Sequence, residues 1–414
     1  MWTPVPESDA SSGSVLITGA AGTGKSRLAR GIAEAYKRRV ARVAPTNKAA
    51  ANINGTTFHA LFGITNPDAF CDAPDFRAMR RVECAYDYIL VDEVFMCTEW
   101  MFGAMLALKK MRDRRREEAT KEPVPKEKPK ELTFILCGDP YQLPPVGDDL
   151  DPLVVRDSSC VHELCSGRRV ELTVPRRSAG DPWLFSTCAE LVAAPPSRAS
   201  NAAFVARFAA YSKEPPEPKE PKEPKEPKEP KEPKEPGPKR ALSFLNATAE
   251  KFNREQATRV RRGCKWLVYE PCGAKGPEGT SAEETEGVVT EKRWVLRRAS
   301  ERARIFPLRA PLVALSSLIV PRGTITRLLK IDEKNVFVED AARKAKPVKR
   351  TEFSAAFDLA YCVTIHRAQC ETIDEPYVVL DSRKIVTLDP AYARALLYVA
   401  ASRATSASLV RLGP

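Results

Sequence analysis

One stretch of the sequence has the residue types and spacing of a phosphate-binding loop. Residues 19–26 read GAAGTGKS, which fits the pattern G-x-x-x-x-G-K-[ST], and the apolar run SVLIT precedes them. Glycines allow the backbone to fold closely around an anion, and a following helix directs its positive N-terminal end at the same point. In this pattern Lys25 neutralises the outer phosphates and the Ser26 hydroxyl binds Mg²⁺. The stretch therefore predicts nucleotide binding. The remaining predicted contacts come from four residues of the loop: Gly19, Gly22, Thr23 and Gly24.

An acidic pair further along the chain supplies the groups that nucleotide hydrolysis needs. Asp92 and Glu93 directly follow the apolar run YILV, so they stand at the end of a predicted strand. Asp92 would hold Mg²⁺ together with Ser26, and Glu93 would orient and deprotonate the attacking water. Gln142, in the segment CGDPYQLPPV, follows the next predicted strand and is placed to contact the γ-phosphate. These residues predict hydrolysis of ATP with Mg²⁺. The alternative for the acidic pair is an ordinary charged strand end.

Composition limits the class of protein only loosely. The chain has 414 residues, and 66 basic against 54 acidic side chains give a net charge of +12. This excess favours a polyanionic partner such as nucleic acid. Eleven scattered cysteines without a C-x-x-C pair, and no apolar run of transmembrane length, predict an intracellular, soluble protein with reduced thiols and no membrane partner. For the segment CVHELC, ordinary buried thiols are favoured over half of a zinc site.

Two segments differ in composition from the rest of the chain. Residues 213–239 repeat Lys, Glu and Pro with a period of three, which matches the three residues per turn of polyproline II. Without apolar side chains the repeat cannot bury a core. It therefore predicts a disordered or extended spacer that reaches roughly 80 Å at about 3.1 Å per residue. Contact of the repeat with protein partners is an open alternative. Residues 112–131 predict a second low-complexity insertion on the surface.

Outside these two segments, short apolar runs alternate with helical stretches. This pattern is typical of parallel sheets covered by helices on both faces, so the predicted fold class is α/β. We predict a first unit over residues 1–175 and a second unit that begins at 176–212 and continues over 240–414. A small β subdomain is predicted within the second unit at about 290–350.

A series of short segments, in chain order, resembles the motifs of superfamily 1 (1B) DNA helicases of the Pif-type and RecD-like branch. Besides GAAGTGKS, the matching segments are APTNKAAANI, GTTFHALFGI, VDEVFM, GDPYQLPPV, ELTVPRRS, FLNATAEKFN, AYCVTIHRAQCETID and LLYVAASRATS. The segments GDPYQLPPV, TIHRAQ and YVAASRA are the most specific, because many other ATPases share the phosphate loop and the acidic pair. The resemblance implies two RecA-like parallel-sheet P-loop domains with ATP between them. It also implies 5′→3′ movement along single-stranded DNA or at DNA junctions, in replication, repair or recombination.

The resemblance further implies roles for individual side chains. Arg177 and Arg403 would reach the γ-phosphate from the second domain and stabilise the transition state. Four residues would contact the DNA backbone: Thr46, Thr57, Thr364 and His366. Four aromatic residues are candidates for base stacking: Phe58, His59, Phe62 and Tyr141. For Phe58 and Phe62, core packing at helical spacing is an equal alternative.

The chain departs from the family pattern in places that matter for activity. No glutamine precedes GAAGTGKS, since Gln142 is the first in the chain, so relaxed selectivity for the base is expected. Cys370 stands where relatives have glycine, and a left-handed backbone there would strain the loop. The segment from Thr65 to Ala85 is short where relatives carry a strand-separating wedge, so translocation without unwinding is an alternative. Arg322 replaces the asparagine usual in a strand of the small β subdomain.

Other functions and locations stay open at this stage. An RNA helicase or a translocase that does not unwind would share the ATPase motifs, and a nucleotide-dependent scaffold would use the repeat to recruit partners. The basic run KKMRDRRR, residues 109–116, is either a nuclear address or the end of a solvated helix. A viral replication site is a further alternative location.

Overall fold

The fold is taken from a computed structural model of the chain. The described residues are 3–4, 6–10, 13–36, 39–64, 75–121, 129–145, 147–148, 150–211, 240–259, 265–269, 286–289 and 304–413. The Lys-Glu-Pro repeat lies outside these residues, and so does the first half of the short segment at 65–85. Expectations about the repeat and about a wedge therefore stay predictions.

The chain forms two compact units whose borders differ from the predicted ones. The first unit comprises Met1–Ala194 and Arg394–Arg403, and the second comprises Pro195–Ala393 and Ala404–Pro414. The first border lies near residue 194 rather than 175 because the helix Pro182–Ala193 belongs to the first unit. The return of residues 394–403 to the first unit has no signal in the local sequence pattern.

A parallel sheet of seven strands forms the centre of the first unit, as the alternating pattern predicts. The strands are short and apolar, and Val15–Gly19 is buried along its whole length. Such strands are typical of parallel sheets with both faces covered. In spatial order the strands are Thr3–Pro4, Arg168–Leu172, Val15–Gly19, Thr133–Cys137, Tyr88–Val91, Val40–Ala44 and Thr56–Thr57.

The helices of the first unit contribute to the same apolar core as its strands. Phe58 and Phe102 are among the helical side chains of this core, beside Phe134 from a strand. The α-helices are Lys25–Ala35, Asn47–Asn52, Phe58–Phe62, Phe76–Ala85, Glu99–Lys121, Pro152–Arg156, Ser159–Leu164 and Pro182–Ala193, and two 3-10 turns cover Glu7–Asp9 and Val94–Met96.

The predicted surface insertion at 112–131 is wrong for its first residue. The helix Glu99–Lys121 runs without a break into this segment, and Arg112 is only 1% exposed. Its guanidinium pairs with Glu83 at 2.5 Å and with Asp87 at 3.0 Å. A buried guanidinium is tolerated where carboxylates and carbonyl oxygens surround it. Composition alone classed Arg112 with the solvated charges that follow it.

The second unit contains a parallel sheet and two antiparallel sheets. The parallel sheet has the order Cys362–Thr364, Arg240–Ser243, Tyr377–Val379 and Val410–Leu412. A five-stranded antiparallel sheet has the order Ala345–Lys349, Asn335–Glu339, Ile325–Ile331, Pro311–Ala314 and Phe357–Leu359. A three-stranded antiparallel sheet has the order Glu286–Val289, Trp266–Tyr269 and Arg304–Pro307. Antiparallel strands therefore occupy the described part of the predicted β region and extend to both sides of it.

The second unit has fewer helices than the first among the described residues. They are Arg198–Tyr211, Asn246–Thr258, Arg350–Ala356, Ile365–Ala368, Ser382–Thr387 and the start of Pro390–Ser402, with a 3-10 turn at Ala407–Leu409. In the part of the chain that the structure describes, none of the helices has the length and apolar character needed to cross a membrane.

Candidate nucleotide-binding site

The phosphate loop joins the strand Val15–Gly19 to the helix Lys25–Ala35. Its backbone is left-handed at Gly19, where φ is 150°, and at Gly22, where φ is 81°. A Cβ atom at Gly22 would lie 2.7 Å from Cβ of Arg177. Gly22 is therefore required both by its backbone angle and by the close approach of another chain segment. The loop has the glycine-dependent geometry that the sequence pattern predicts.

Lys25 is held at the loop by backbone oxygens. Its Nζ donates to the carbonyl oxygens of Gly19 and Ala20, at 2.9 Å each, and the side chain is 8% exposed. The Thr23 hydroxyl also donates to the Ala20 carbonyl, at 2.9 Å. Carbonyl oxygens fix the ammonium group without cancelling its charge. The ammonium group is therefore positioned at the loop, where the phosphates of a nucleotide would bind.

Ser26 and Asp92 meet at the end of the strand Tyr88–Val91. The Ser26 hydroxyl donates to Asp92 Oδ1 at 3.0 Å, and the same oxygen accepts from the Glu93 N–H at 3.1 Å and from the Cys137 thiol at 2.9 Å. Burial raises the pKa of Asp92, and these three hydrogen bonds and the charge of Lys25 act against that rise. A divalent cation would further favour the ionised carboxylate.

The donor set at this point fits Mg²⁺. A carboxylate and a hydroxyl are the hard oxygen donors that this ion prefers, and Mg²⁺ keeps several positions for water and substrate phosphates. Among the residues that the structure describes, no group of three or more His, Cys, Asp or Glu side chains could hold a metal. Ser26 and Asp92 would be the two protein donors to a Mg²⁺ ion held together with a nucleotide.

Glu93 has an unusual backbone conformation. Its φ is 53° and its ψ is 46°, in the left-handed region, and it precedes the 3-10 turn Val94–Met96. A non-glycine residue there stores roughly 1–3 kcal/mol of strain, which persists when surrounding structure holds it. The turn directs the chain away from the strand directly after Asp92. The sequence identified Glu93 but gave no sign of this conformation.

Gln142 is linked through Asp139 to Tyr398, a residue that sequence reasoning missed. Gln142 is buried, and its Nε2 donates to Asp139 Oδ2 at 3.4 Å. Tyr398 also donates to Asp139 Oδ2, at 2.7 Å, and its oxygen accepts from the N–H of Ala21 at 2.7 Å. Tyr398 lies in the segment YVAASRA, where an aromatic residue at helical spacing is usually core. Only the structure shows that its hydroxyl touches the phosphate loop.

Arg177 and Arg403, the two arginines predicted to reach the γ-phosphate, lie in the first unit and not in the second as predicted. The backbone N–H of Arg177 donates to the Gly22 carbonyl at 3.0 Å, and its Nη1 donates to the Ser402 carbonyl at 2.8 Å. Arg403 is 2% exposed, with Nε donating to the Val399 carbonyl at 3.1 Å and Nη2 to Ser402 Oγ at 3.1 Å. The end of the helix Pro390–Ser402 thus contacts Arg177, whose backbone in turn contacts the phosphate loop.

A cavity of about 460 Å³ opens beside the phosphate loop. Thr23 and Gly24 form one wall, Glu7 and Ser8 lie in the N-terminal segment, and Arg176 lines it as well. The backbone N–H of Arg176 donates to the loop at 2.9 Å, as that of its neighbour Arg177 does. The cavity has the size of a small-molecule site and is partly lined by charged side chains. It is the candidate position for the base or ribose of a nucleotide.

Comparison with known proteins agrees with this geometry. The family described as an AAA domain matches residues 4–148. The ATP-dependent DNA helicase PIF1 of Trypanosoma brucei brucei is 35% identical over 133 residues, 31% of this chain and 12% of that protein. A crystal structure of Pif1 helicase from Candida albicans has a TM-score of 0.64 at 19% identity, covering 98% of this chain and 92% of that one. The chain thus shares the fold of Pif1 helicases and resembles a Pif1 helicase in part of its sequence.

Further Pif1 structures share the fold. Bacteroides Pif1 bound to single-stranded DNA has a TM-score of 0.58 at 16% identity, covering 98% of this chain and 90% of that one. Bacteroides Pif1 with ADP-AlF3 and single-stranded DNA has a TM-score of 0.57 at 17% identity, covering 98% and 89%. At these identities the likeness concerns the fold. The chain spans only 12% of the length of the trypanosome relative that it matches.

Three threonines predicted to contact DNA share one local geometry. Thr46, Thr57 and Thr364 are each the N-cap of a short helix, and each side-chain oxygen accepts the backbone N–H three residues on. An N-cap threonine uses its oxygen as an acceptor, so its hydroxyl proton can still be donated. This geometry is compatible with the predicted phosphate contacts. Thr46 and Thr57 lie in the first unit and Thr364 in the second.

The aromatic residues predicted to stack on bases divide into two that are buried in the core and two that are half-buried. Phe58, at 1% exposure, and Phe62 are in the core of the first unit, so the stacking prediction is wrong for both. His59 is half-buried with its ring edge-on to Trp100, 5.1 Å between centroids, and burial lowers its pKa. Tyr141 is half-buried, with the Arg394 guanidinium 5.9 Å from its ring centroid. His59 and Tyr141 stay candidates for base stacking.

His366 lies in the second unit beside an aromatic pair that sequence reasoning missed. Its Nε2 is 3.0 Å from the hydroxyl oxygen of Tyr392, and the Tyr392 ring is edge-on to Phe244 with centroids 6.2 Å apart. Burial lowers the pKa of His366, which favours the neutral imidazole. A neutral imidazole contacts phosphate as a hydrogen-bond donor rather than as a cation.

Cys370 has the strained backbone that the family comparison predicts. Its φ is 65°, in the left-handed region that favours glycine. A left-handed non-glycine residue costs roughly 1–2 kcal/mol, against about 0.5–1 kcal/mol for the added chain entropy of glycine. Cys370→Gly should therefore raise the free energy of unfolding by about 0.5–1 kcal/mol, measured by urea denaturation. Cys370→Ala is the control, since it removes the thiol and keeps the strain. A glycine variant no more stable than the alanine variant would contradict the prediction.

Proposed function

We propose that the chain is an ATP-dependent motor that moves along single-stranded DNA in the 5′→3′ direction and unwinds duplex DNA as a helicase. The observation that carries the proposal is the hydrogen bond between Ser26 and Asp92. It joins the phosphate loop to the acidic strand end, beside Lys25 and Glu93. The groups proposed to bind the phosphates, to bind the metal and to act as the general base thus meet at one point of the first unit.

The chemistry proposed for this site is hydrolysis of the γ-phosphate. The loop amides and Lys25 would hold the phosphate chain, and Ser26 with Asp92 would hold Mg²⁺. The metal, when bound, supplies charge neutralisation for the phosphate oxygens. Glu93 would accept a proton from the attacking water, and Gln142 would contact the γ-phosphate. The two arginines, Arg177 and Arg403, would stabilise charge that develops in the transition state.

The proposed track is single-stranded DNA. The Pif1 structures from Bacteroides with bound single-stranded DNA support this choice. Candidate contacts come from both units, with Thr46 and Thr57 in one and Thr364 and His366 in the other. Small hydroxyl groups at helix starts suit phosphate contacts without base readout. Alternating grip by two units during ATP turnover would move the protein along the strand. The proposal includes an intracellular location and a role in DNA replication, repair or recombination.

The test of the proposed function is ATP turnover with and without nucleic acid. We expect turnover to rise at least tenfold with single-stranded DNA, and a forked duplex with a 5′ tail to be unwound. Single-stranded RNA of the same sequence separates a DNA motor from an RNA helicase. Stimulation without strand separation would indicate a translocase. Absence of turnover with every nucleic acid would contradict the proposal and favour a nucleotide-dependent scaffold.

The cavity beside the phosphate loop predicts weak selectivity for the base. Residues 1–18 contain no glutamine, and the acidic Glu7 lines the cavity. A carboxylate only accepts hydrogen bonds, whereas an amide both donates and accepts. One missing edge contact is worth about 1–2 kcal/mol, so GTP turnover should lie within roughly tenfold of ATP turnover.

Glu7→Gln tests this prediction about the base. The amide should move the ratio of kcat/KM values toward ATP, and Asp9→Asn is the matched control because Asp9 is in the same 3-10 turn. Both variants are compared with the wild type for ATP and GTP. A hundredfold preference of the wild type for ATP would show that another group reads adenine.

A further inference from the structure

Tyr398 connects two parts of the nucleotide site that are far apart in sequence. It lies on the helix Pro390–Ser402 and is 1% exposed. Its hydroxyl group accepts from the N–H of Ala21, in the phosphate loop, at 2.7 Å. The same hydroxyl donates to Asp139 Oδ2 at 2.7 Å. All of these residues belong to the first unit.

The two carboxylate oxygens of Asp139 accept hydrogen bonds from three donors. Oδ1 accepts from the backbone N–H of Tyr141 at 3.1 Å, and Oδ2 accepts from Tyr398 and, at 3.4 Å, from the Gln142 side-chain amide. Asp139 is buried, so few other donors can reach its oxygens. The orientation of the Gln142 amide therefore depends on where Asp139 is held. The Tyr398 hydroxyl makes both of the short hydrogen bonds in the chain from Ala21 to Gln142.

The hydroxyl of Tyr398 fills a position that an apolar side chain cannot fill. The N–H of Ala21 needs an acceptor and the carboxylate of Asp139 needs a donor, and a phenol supplies both at once. Burial, together with the negative charge of Asp139, raises the pKa of Tyr398 well above its usual range. The phenol therefore keeps its proton at neutral pH and can donate it to Asp139.

We propose that Tyr398 is a positioning residue that holds the phosphate loop and Gln142 in register, so that the site distinguishes a nucleoside triphosphate from the diphosphate. This inference rests on the proposed function, because it assigns the γ-phosphate contact to Gln142. The loop itself would still bind the inner phosphates through its glycines and Lys25. Loss of the phenol hydroxyl should therefore weaken binding of the γ-phosphate and leave the diphosphate nearly unaffected.

The experiment measures nucleotide affinity rather than turnover alone. Calorimetric titration gives the affinities of the wild type and of Tyr398→Phe for ADP and for the β,γ-imido analogue of ATP, each with Mg²⁺. We expect the ratio of the two affinities to fall roughly tenfold, the size of one lost hydrogen bond, with little change for ADP. In turnover assays kcat should fall more than KM rises, since the transition state forms at the γ-phosphate.

Tyr269→Phe is the matched control for buried phenol groups. Tyr269 is buried in the second unit, and its hydroxyl donates to the Arg350 carbonyl at 2.7 Å. Both variants lose one buried hydrogen bond, so both should lower the melting temperature. Only Tyr398→Phe should change the affinity ratio. An unchanged ratio in Tyr398→Phe, with a melting temperature lowered as in Tyr269→Phe, would mean a purely structural role and would overturn the proposal.

Asp139→Ala keeps the test decisive if Tyr398→Phe does not fold. Alanine has no side-chain acceptor, so neither Tyr398 nor Gln142 keeps its hydrogen bond at this position. We expect the same fall in the affinity ratio, and the double variant should show less than the sum of the two effects. An unchanged ratio in Asp139→Ala would also overturn the proposal. A wild type that binds both nucleotides without hydrolysing them would contradict the proposed function, while the affinity ratio would still decide the role of Tyr398. A wild type that binds neither nucleotide would overturn both.

Discussion

Replacing Lys25 with alanine should abolish ATP turnover. The motif GAAGTGKS contains no other cationic side chain, and Nζ of Lys25 is fixed at the loop by two carbonyl oxygens at 2.9 Å. Without this charge the outer phosphates lose their loop-borne counterion, so both nucleotide binding and the transition state are weakened. The measurement is steady-state turnover with saturating single-stranded DNA. Lys109→Ala, a lysine of the helix Glu99–Lys121, is the control and should keep wild-type turnover.

Glu93→Gln separates binding from chemistry at the same site. Glutamine has nearly the same shape but cannot accept the proton of the attacking water, and general-base catalysis contributes about 10²–10⁴ in rate. The variant should therefore bind ATP as the wild type does and hardly hydrolyse it. The left-handed backbone at Glu93 is unaffected by this change, so the fold should be kept. Near wild-type turnover in Glu93→Gln would mean that another group serves as the base.

The parts of the geometry that the sequence predicted correctly are those tied to short motifs. Apolar runs predicted the buried parallel strands, and residue types at strand ends placed Lys25, Ser26 and Asp92 at one edge of the sheet. Such predictions succeed because the carboxyl ends of parallel strands meet at one edge, whatever lies between them in sequence. The left-handed backbone at Cys370 likewise agrees with the expectation, drawn from the family resemblance, that this position suits glycine.

The parts that the sequence missed depend on contacts over long sequence separations. Tyr398 touches Ala21 across 377 residues, and nothing in its local segment indicates the bond. Arg112 was classed with solvated charges because its neighbours are charged, yet Glu83 and Asp87 pair with it in the interior. In each case the decisive partner lies on another element, and a local pattern cannot identify it.

Helical spacing was unable to decide between core and surface aromatics. Phe58 and Phe62 stand four residues apart, which places both on one face of their helix. That spacing fits a stacking surface as well as a buried stripe, and the structure shows the buried one. His59 lies between them on a different face, which is why it is only half-buried. The N-cap role of Thr57 follows from the same short helix, since its side chain accepts from the Ala60 N–H.

Replacing Arg403 with alanine should lower DNA-stimulated ATP turnover by about 10³–10⁵, the usual contribution of an arginine that completes a phosphoryl-transfer site. The expected reason is loss of a planar cation near the γ-phosphate. The structure changes the unit from which these arginines would act, because Arg403 and Arg177 both belong to the unit that carries the phosphate loop. Both donate to Ser402, Arg177 to its carbonyl oxygen at 2.8 Å and Arg403 to its hydroxyl at 3.1 Å. Arg177→Ala should therefore have an effect of similar size.

Burial of Arg403 makes a stability control necessary. Its side chain is almost fully buried, so alanine could act by unfolding the end of the helix Pro390–Ser402. Arg304→Ala is the comparison: Arg304 donates to the Phe357 carbonyl at 3.1 Å and pairs with Asp358 at 3.3 Å in the second unit. It should lower the melting temperature without a large loss of turnover per folded molecule.

Arg403→Lys then separates charge from shape. Lysine keeps the positive charge but not the planar fork, so rescue should be poor if two oxygens are held at once. Nucleotide affinity should change little in Arg403→Ala, and single-stranded DNA affinity without nucleotide should persist because Thr46, Thr57 and His366 are unchanged. Turnover is measured with both affinities for each variant. Normal DNA-stimulated turnover in Arg403→Ala would show that this arginine does not contact the reacting phosphate. The motor mechanism would then lose the group proposed to connect the helix Pro390–Ser402 with ATP hydrolysis.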